Sequence, residues 1–152
     1  MELMKSLRGF FHVQIEENGE VVGDSGIIEN QVTNDGFLHY LVELLGAIAG
    51  SSQIGYVALG TGTAPGAADT SLQGEVEVRA AVTAATSSNS KTLRFTATFA
   101  SENSFVSDTV NIANLGLFAL SEGGVLFAGN TFASSSCAVN QAVQVTYDLV
   151  FQ

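Results

Sequence analysis

The chain has 152 residues, enough for one domain with a single core. Its formal net charge of −10 argues against direct binding of nucleic acid, which requires a basic patch to neutralise phosphates. Hydrophobic residues make up 46% and charged residues only 13%. A soluble chain so poor in charge predicts that part of its surface is buried against other chains. The alternative is a monomeric β protein whose surface is rich in serine and threonine.

The N-terminal region predicts an arm followed by a β-hairpin. Residues 1–9 are either a frayed terminus or an arm that pairs with a neighbouring subunit. Apolar and polar side chains then alternate over residues 11–16, the period of a half-buried strand. Asn18 and Gly19 predict the tight turn of the hairpin. The return strand is expected to break at residues 23–26, which are rich in glycine.

One helix is predicted, at about residues 36–49. Thr33, Asn34 and Asp35 precede it and carry side-chain oxygens that can cap its first turn. Apolar residues cover more than one face of this helix, so we expect it to be largely buried. Gly50 supplies a natural left-handed end. The segment is too short to cross a membrane.

The rest of the chain is predicted to form short strands separated by turns. A polar loop is expected at residues 83–90. Together with the N-terminal hairpin, the pattern predicts a mainly β, single-domain fold, an antiparallel β-sandwich or jelly-roll-like barrel with one buried helix. The strands are predicted at residues 56–59, 76–82, 93–99, 109–112, 115–120, 125–128 and 142–151.

The glycine-rich stretch at residues 60–66 looks like a phosphate-binding loop but lacks the residues that such a loop needs. A P-loop ends in Gly-Lys-Ser/Thr, because the lysine neutralises phosphate and the hydroxyl holds magnesium. Here Gly66 is followed by Ala67, Ala68 and Asp69. We therefore predict no bound nucleotide and no cofactor.

Other candidates for chemistry are also weak. Asp69, Glu75 and Glu77 could contribute oxygens to a calcium site, but a solvated strand face is the simpler interpretation, with Asp69 capping a turn. His12 is expected to point outward from a strand. His39 is expected to be a core or interface histidine, and the histidine and cysteine spacings do not fit zinc. Cys137 is expected to be a buried apolar residue. We predict no metal and no catalytic residue.

Two groups of motifs resemble those of small virion structural proteins of tailed bacteriophages. The first is LGTGTAP at residues 59–65, with DTSL, EV and an arginine downstream. The second is NLGLF at residues 114–118, followed by GGVLFA and TF. The resemblance covers roughly residues 28–152, and it departs from the family at Asn114-Leu115, where Glu-Ala or Glu-Ile is expected.

This resemblance implies a non-enzymatic virion protein. The first interpretation is a capsid decoration (cement) protein, made in the host cytoplasm, that binds the major capsid protein on the capsid exterior as a homotrimer and stabilises the head. It would contact neither nucleic acid nor membrane. One alternative is a tail-fibre or baseplate module that binds a host receptor or glycan. Another is a glycan-cleaving enzyme that uses Asp69, Glu75 or Glu77.

The candidate contacts with the capsid or with other subunits lie in two segments that we expect to be exposed and extended. These segments are the N-terminal arm and the glycine-rich loop. The candidate residues are Lys5, Arg8, Phe10, Phe11, Thr61, Thr63, Pro65 and Asp69.

Overall fold

The computed structural model describes residues 7–76, 78–86, 90–101 and 105–151. Within these ranges, antiparallel strands close into a barrel in the order β1-β2-β7-β6-β3-β4-β5-β8. The prediction of a mainly β, antiparallel fold is therefore confirmed at the level of a closed barrel. The strands are β1 (Leu7–Glu17), β2 (Glu20–Val32), β3 (Tyr56–Gly60), β4 (Ala80–Thr86), β5 (Thr92–Phe99), β6 (Val110–Phe118), β7 (Ala128–Cys137) and β8 (Ala142–Phe151).

The hairpin of β1 and β2 forms where the sequence predicts it. Asn18 has φ 52° and Gly19 has φ 82°, the two left-handed residues that a two-residue hairpin turn requires. The break predicted at residues 23–26 is wrong, because β2 continues through it. Strand β2 has an additional residue relative to β1 here, and a bulge near Gly26, which has φ 69°, accommodates it. A bulge bends a strand without ending it.

The predicted bounds of β4 and β6 need correction. The strand predicted at residues 76–82 begins at Ala80, and β4 extends into the predicted loop as far as Thr86. The two strands predicted at 109–112 and 115–120 form one strand, β6, with an irregular register between Ile112 and Asn114.

Strand β7 lies later in the chain than the strand predicted at residues 125–128. It is poor in apolar residues and contains the run Ser134, Ser135 and Ser136, so it carries little alternation of apolar and polar residues. Its pairing with β6 places it in the sheet. Tertiary pairing has here overridden a weak local signal.

The main core fills the barrel, and a second, smaller core lies on its outer side. The inner core includes Phe11 of β1, Phe99 of β5 and Tyr147 of β8. The second core consists of Ala58, Leu72, Phe118 and Leu126. Because β3 and β6 contribute to both cores, these two strands are buried on both faces.

The helical segment is shorter and far more exposed than predicted. A π-helix at Gly36–Val42 runs into a single α-helical turn at Glu43–Leu45, and we call the two together the helical segment. Thr33 caps it as predicted, since its hydroxyl accepts a hydrogen bond from the amide of Gly36 at 2.9 Å. The prediction that the helix is buried is wrong for the single chain. Within the π-helix only Gly36 and Tyr40 are buried, and the α-helical turn has no buried residue. The expectation failed because the hydrophobicity of a segment does not by itself show that other parts of the chain pack against it.

Cys137 gives a direct test of the barrel. It is buried as predicted, and burial raises the pKa of its thiol to about 11. At pH 8 the folded protein should react with an aromatic disulfide reagent about 100-fold more slowly than the unfolded chain, because its thiolate fraction is that much smaller. Stopped-flow absorbance with and without guanidinium measures both rates. Equal rates would contradict the burial of β7 against the core.

Candidate functional site

The predicted contact residues of the N-terminal arm do not form one exposed surface. Lys5 lies outside the described residues. Arg8 and Phe10 lie in β1, whose pleat sends neighbouring side chains to opposite faces. Phe11 is therefore inside the barrel, 1% exposed, with its ring against that of Phe132 at a centroid distance of 6.0 Å. Its assignment as a contact residue is wrong.

Arg8 is exposed, but its charge already has a partner. Its Nε donates to Glu29 Oε1 at 2.8 Å and its Nη2 donates to Glu29 Oε2 at 2.7 Å. These hydrogen bonds raise the pKa of Arg8 and lower the pKa of Glu29. The guanidinium also lies 5.2 Å from the centre of the Phe10 ring. Arg8, Phe10 and Glu29 thus form a small cluster without net charge near the start of β1.

The glycine-rich loop is part of a longer covering segment, residues 61–76, that lies over the outer face of β3 and β6. Thr61, Thr63 and Asp69 are exposed on it, as predicted. Pro65 is buried, so its assignment as an exposed contact is wrong. A Cβ added to Gly129 of β7 would lie 2.9 Å from the Pro65 ring. Pro65 therefore packs against a strand instead of facing solvent.

Asp69 does cap a turn, but the turn precedes it instead of following it. Its Oδ2 accepts a hydrogen bond from the amide of Gly66 at 2.8 Å. Thr63 is held in a similar way, since its hydroxyl donates to Gln73 Oε1 at 2.7 Å. The Gly66 amide and the amide and hydroxyl of Thr63 are thus bonded within the chain.

Asn114 is the side chain that fastens the covering segment to the barrel. It is fully buried in β6, and its Nδ2 donates to the carbonyl of Thr63 at 3.0 Å and to that of Gln73 at 2.9 Å. A Cβ on Gly62 would lie 2.4 Å from the Gln73 carbonyl, so this approach requires glycine there. Gly62 and Asn114 therefore maintain the same close contact, the one between the glycine-rich loop and the backbone of Gln73.

Arg79 holds the C-terminal end of the covering segment. Its side chain is 5% exposed and makes a bidentate pair with Glu75. Its Nη1 donates at 2.8 Å to the carbonyls of both Leu120 and Gly123. The guanidinium stacks 3.6 Å from the centre of the Phe118 ring. Arg79 and Asn114 belong to the two groups of motifs described above, but no role was predicted for either from the sequence. The available signal was an isolated arginine in a region almost free of positive charge.

The arrangement does not support the calcium or glycan-cleaving interpretations. Glu75 is engaged by Arg79, Asp69 by the loop amide, and Glu77 lies outside the described residues. Among the residues that the structure describes, groups of three or more metal-ligating side chains are absent. His12 points outward as predicted, with Nε2 2.6 Å from Asp24 Oδ1. His39 lies 3.2 Å from Glu43 and is partly exposed.

The largest exposed apolar area lies on and beside the helical segment. Leu45 is 89% exposed and Val42 is 61% exposed. We call this area the apolar helical surface. Its members are Phe37, Leu38, Val42, Leu44, Leu45 and Ile48.

An apolar pocket opens beside this surface, at one end of the barrel. We call it the mouth pocket; its volume is about 380 Å³. Its walls are mostly aliphatic and aromatic, and they include Tyr40, Leu44, Leu45, Ala84, Phe95 and Phe151. Tyr40 is fixed in the wall by its hydroxyl, which donates to the Val125 carbonyl at 2.7 Å. Leu44 and Leu45 belong to both features, so the pocket and the apolar helical surface are continuous.

A second, polar groove brings the two predicted contact segments together. Its volume is about 520 Å³, and Leu7 of β1 and Pro65 of the loop both line it. Asn30 and Asn130 supply amide groups, and Asn130 donates to the Glu29 carbonyl at 2.7 Å.

No known protein family, curated protein or solved structure matches this chain. In the part of the chain that the structure describes, no helix combines the length and the apolar character needed to span a membrane. Within the described residues, the apolar helical surface, the mouth pocket and the polar groove are three features suited to binding another molecule.

Replacing Arg79 with lysine should lower the free energy of unfolding by about 2–4 kcal/mol, because lysine cannot bridge a carboxylate and two carbonyls at once. Arg94→Lys is the matched control. Arg94 makes a similar bidentate pair with Asp148, but its side chain is 58% exposed, so less than about 1 kcal/mol should be lost. Urea unfolding measures both. Equal losses would contradict the role given to Arg79.

Replacing Asn114 with aspartate should destabilise the protein by about 2–4 kcal/mol, since a buried carboxylate would face two carbonyl oxygens without a proton to donate. Asn111→Asp is the control, because Asn111 lies on the same strand and is exposed. Thermal unfolding of both variants at pH 7 tests this difference. An unchanged midpoint for Asn114→Asp would show that the covering segment does not depend on this side chain.

Proposed function

We propose that this chain is a non-enzymatic structural protein of a tailed-phage virion. In this proposal it is a capsid decoration protein that binds the outer surface of the head as a homotrimer. The apolar helical surface is the observation that carries the proposal, because exposed apolar side chains that cluster on one segment often mark a surface that another molecule covers. The motif resemblance supplies the virion context.

The apolar helical surface suits association between subunits. A standard interface buries about 800 Å² on each partner around an apolar centre, and the apolar helical surface supplies side chains suited to that centre. Association itself costs about 4–15 kcal/mol, which one small apolar contact does not offset. A stable oligomer therefore needs further contacts, which a ring of three subunits supplies by giving each subunit two neighbours.

The barrel is proposed to be a flattened, jelly-roll-like sandwich, as such virion subunits often are. Strands β2 and β7 pair only at Gln31 and Val32. Strands β3 and β4 pair only at Tyr56 and Val57. These short seams divide the barrel into two layers and leave strand edges that neighbouring subunits can cover.

The capsid contact is proposed at the exposed part of the covering segment. Thr61, Thr63 and Asp69 project from a loop that Asn114 holds by two hydrogen bonds. A loop fixed in this way loses little entropy when it binds. The net charge of −10 is compatible with the capsid exterior, away from the packaged nucleic acid.

A second candidate is a tail-fibre or baseplate module that binds a glycan. The polar groove favours it, since Glu29, Asn30, Gln31 and Asn130 provide the amide and carboxylate groups that bind sugar hydroxyls. Binding to purified host polysaccharide, lost in Asn130→Ala, would favour this role over capsid decoration.

Light scattering of the purified protein, alone and with empty capsids of its own phage, tests the first proposal. We expect a trimer that co-sediments with capsids. Leu38→Glu combined with Val42→Glu should give monomers, because each acidic group would be buried in the interface. Val139→Glu is the control, since Val139 is exposed elsewhere. A wild-type monomer, or a trimer that ignores capsids, would overturn the proposal.

A further inference from the structure

We propose that the free edge of β2 binds an extended segment of a second protein, in which lysine or arginine accompanies β-branched residues. The segment would join the sheet as one more strand. This inference goes beyond the proposed function, because it requires neither a trimer nor a capsid.

Strand β2 is paired along its length on one side only. Its pairing with β1 runs from Glu20 to Asn30. Within the described residues, it pairs with β7 only at Gln31 and Val32. We call the side of residues 20–30 that faces away from β1 the β2 edge. An unpaired edge presents backbone N–H and C=O groups to which an extended segment can bond.

The backbone of Ile27 points out of the β2 edge. The Glu29 carbonyl faces away from β1, because it accepts a hydrogen bond from Asn130 Nδ2 of β7 at 2.7 Å. Residues of an antiparallel strand bond alternately toward one side and the other, and the register between Ile27 and Glu29 is regular. Ile27 therefore also directs its N–H and C=O away from β1. Its side chain is 76% exposed, so it offers an apolar contact as well.

Charge identifies the class of partner. Strands β1 and β2 carry five carboxylates, two on β1 and three on β2, against one arginine. Arg8 pairs with Glu29, and His12 lies beside Asp24. Within the described residues, Glu20 at the start of the β2 edge is exposed and has no basic partner. A segment that carries lysine or arginine would therefore gain favourable cross-strand pairs.

A second copy of this chain is a poorer occupant of the β2 edge. Pairing of two β2 strands would bring their carboxylates together, and like charges that face each other destabilise a sheet. The whole chain has a formal net charge of −10, so its other segments offer little positive charge. Charge complementarity thus favours a different protein with a basic extended segment.

The β2 edge leads into the polar groove. Glu29, Asn30 and Gln31 line the groove from β2, and Asn130 lines it from β7. Their amide side chains carry both donors and acceptors, which match the amide and carbonyl groups of an extended backbone. A segment bound at Ile27 can therefore continue into the groove and bond there.

Three synthetic peptides separate backbone pairing from charge. The first is about six residues long, a common strand length, and alternates lysine with valine. The second replaces each lysine with glutamate, and the third keeps the lysines but has N-methylated backbone amides. We expect saturable binding of the first peptide. The second should bind about 10-fold more weakly because of like charge, and the third about 10-fold more weakly because it cannot donate backbone hydrogen bonds.

A pair of matched variants tests the place of binding. Ile27→Lys puts a positive charge at the centre of the β2 edge and should weaken binding of the lysine peptide about 10-fold. Leu120→Lys makes the same change of charge at an exposed residue in the turn after β6, and it should leave binding unchanged. Nuclear magnetic resonance titration measures each dissociation constant and locates the shifted amides. Thermal unfolding checks that both variants are folded.

Shifts centred on Ile27 and Glu29 that are lost in Ile27→Lys would support the inference. Absence of saturable binding at millimolar peptide, or equal binding of the N-methylated peptide, would overturn it. Equal weakening by Leu120→Lys would also overturn it, because the attraction would then be a general effect of charge. Host polysaccharide that binds the polar groove where the peptide does not would assign the groove to a glycan instead. None of these results depends on the oligomeric state or on capsids, so failure here is distinguishable from failure of the proposed function.

Discussion

The burial of β3 and β6 on both faces depends on side chains that donate hydrogen bonds to backbone carbonyls. The covering segment makes only a few backbone bonds of its own with the barrel, such as the Val76 amide to the Leu59 carbonyl at 2.8 Å. Asn114 and Arg79 satisfy four further carbonyls between them. Because unpaired carbonyls shielded from water are costly, the two Asn114 bonds allow an irregular segment to lie flat on a sheet, and Arg79 holds the end of that segment through Glu75. The exposed loop on top is thereby held in a defined shape.

The opposite situation holds at the helical segment. There leucine, valine and isoleucine side chains are exposed to water, next to a pocket that none of the described residues fills. The covering segment is thus held by hydrogen bonds within the chain, whereas the helical segment exposes apolar side chains beside an unfilled pocket. This combination suits a subunit whose final packing is reached in an assembly, where apolar surfaces pair and polar loops meet a different partner.

The sequence predicted the elements with strong local signals. The Asn18-Gly19 turn, β5 and β8 follow from turn chemistry and strict alternation, and the structure has them. The helical segment was placed correctly but expected to be buried, since hydrophobicity alone does not show that the rest of the chain covers a segment. The site was harder to predict, because the bonds of Asn114 join residues about 40 to 50 positions apart. Pro65 and Phe11 were misassigned for the same reason, as burial depends on partners distant in sequence.

Hydrogen exchange measured as a function of protein concentration tests the central claim that the apolar helical surface is covered by another copy. The amides of the π-helix Gly36–Val42 should exchange more slowly as concentration rises through the association range, because their local opening requires the interface to separate. The amides of β8, at the centre of its sheet, should exchange at the same rate throughout. Exchange of the π-helix that is independent of concentration, in a protein shown to be oligomeric, would contradict the account.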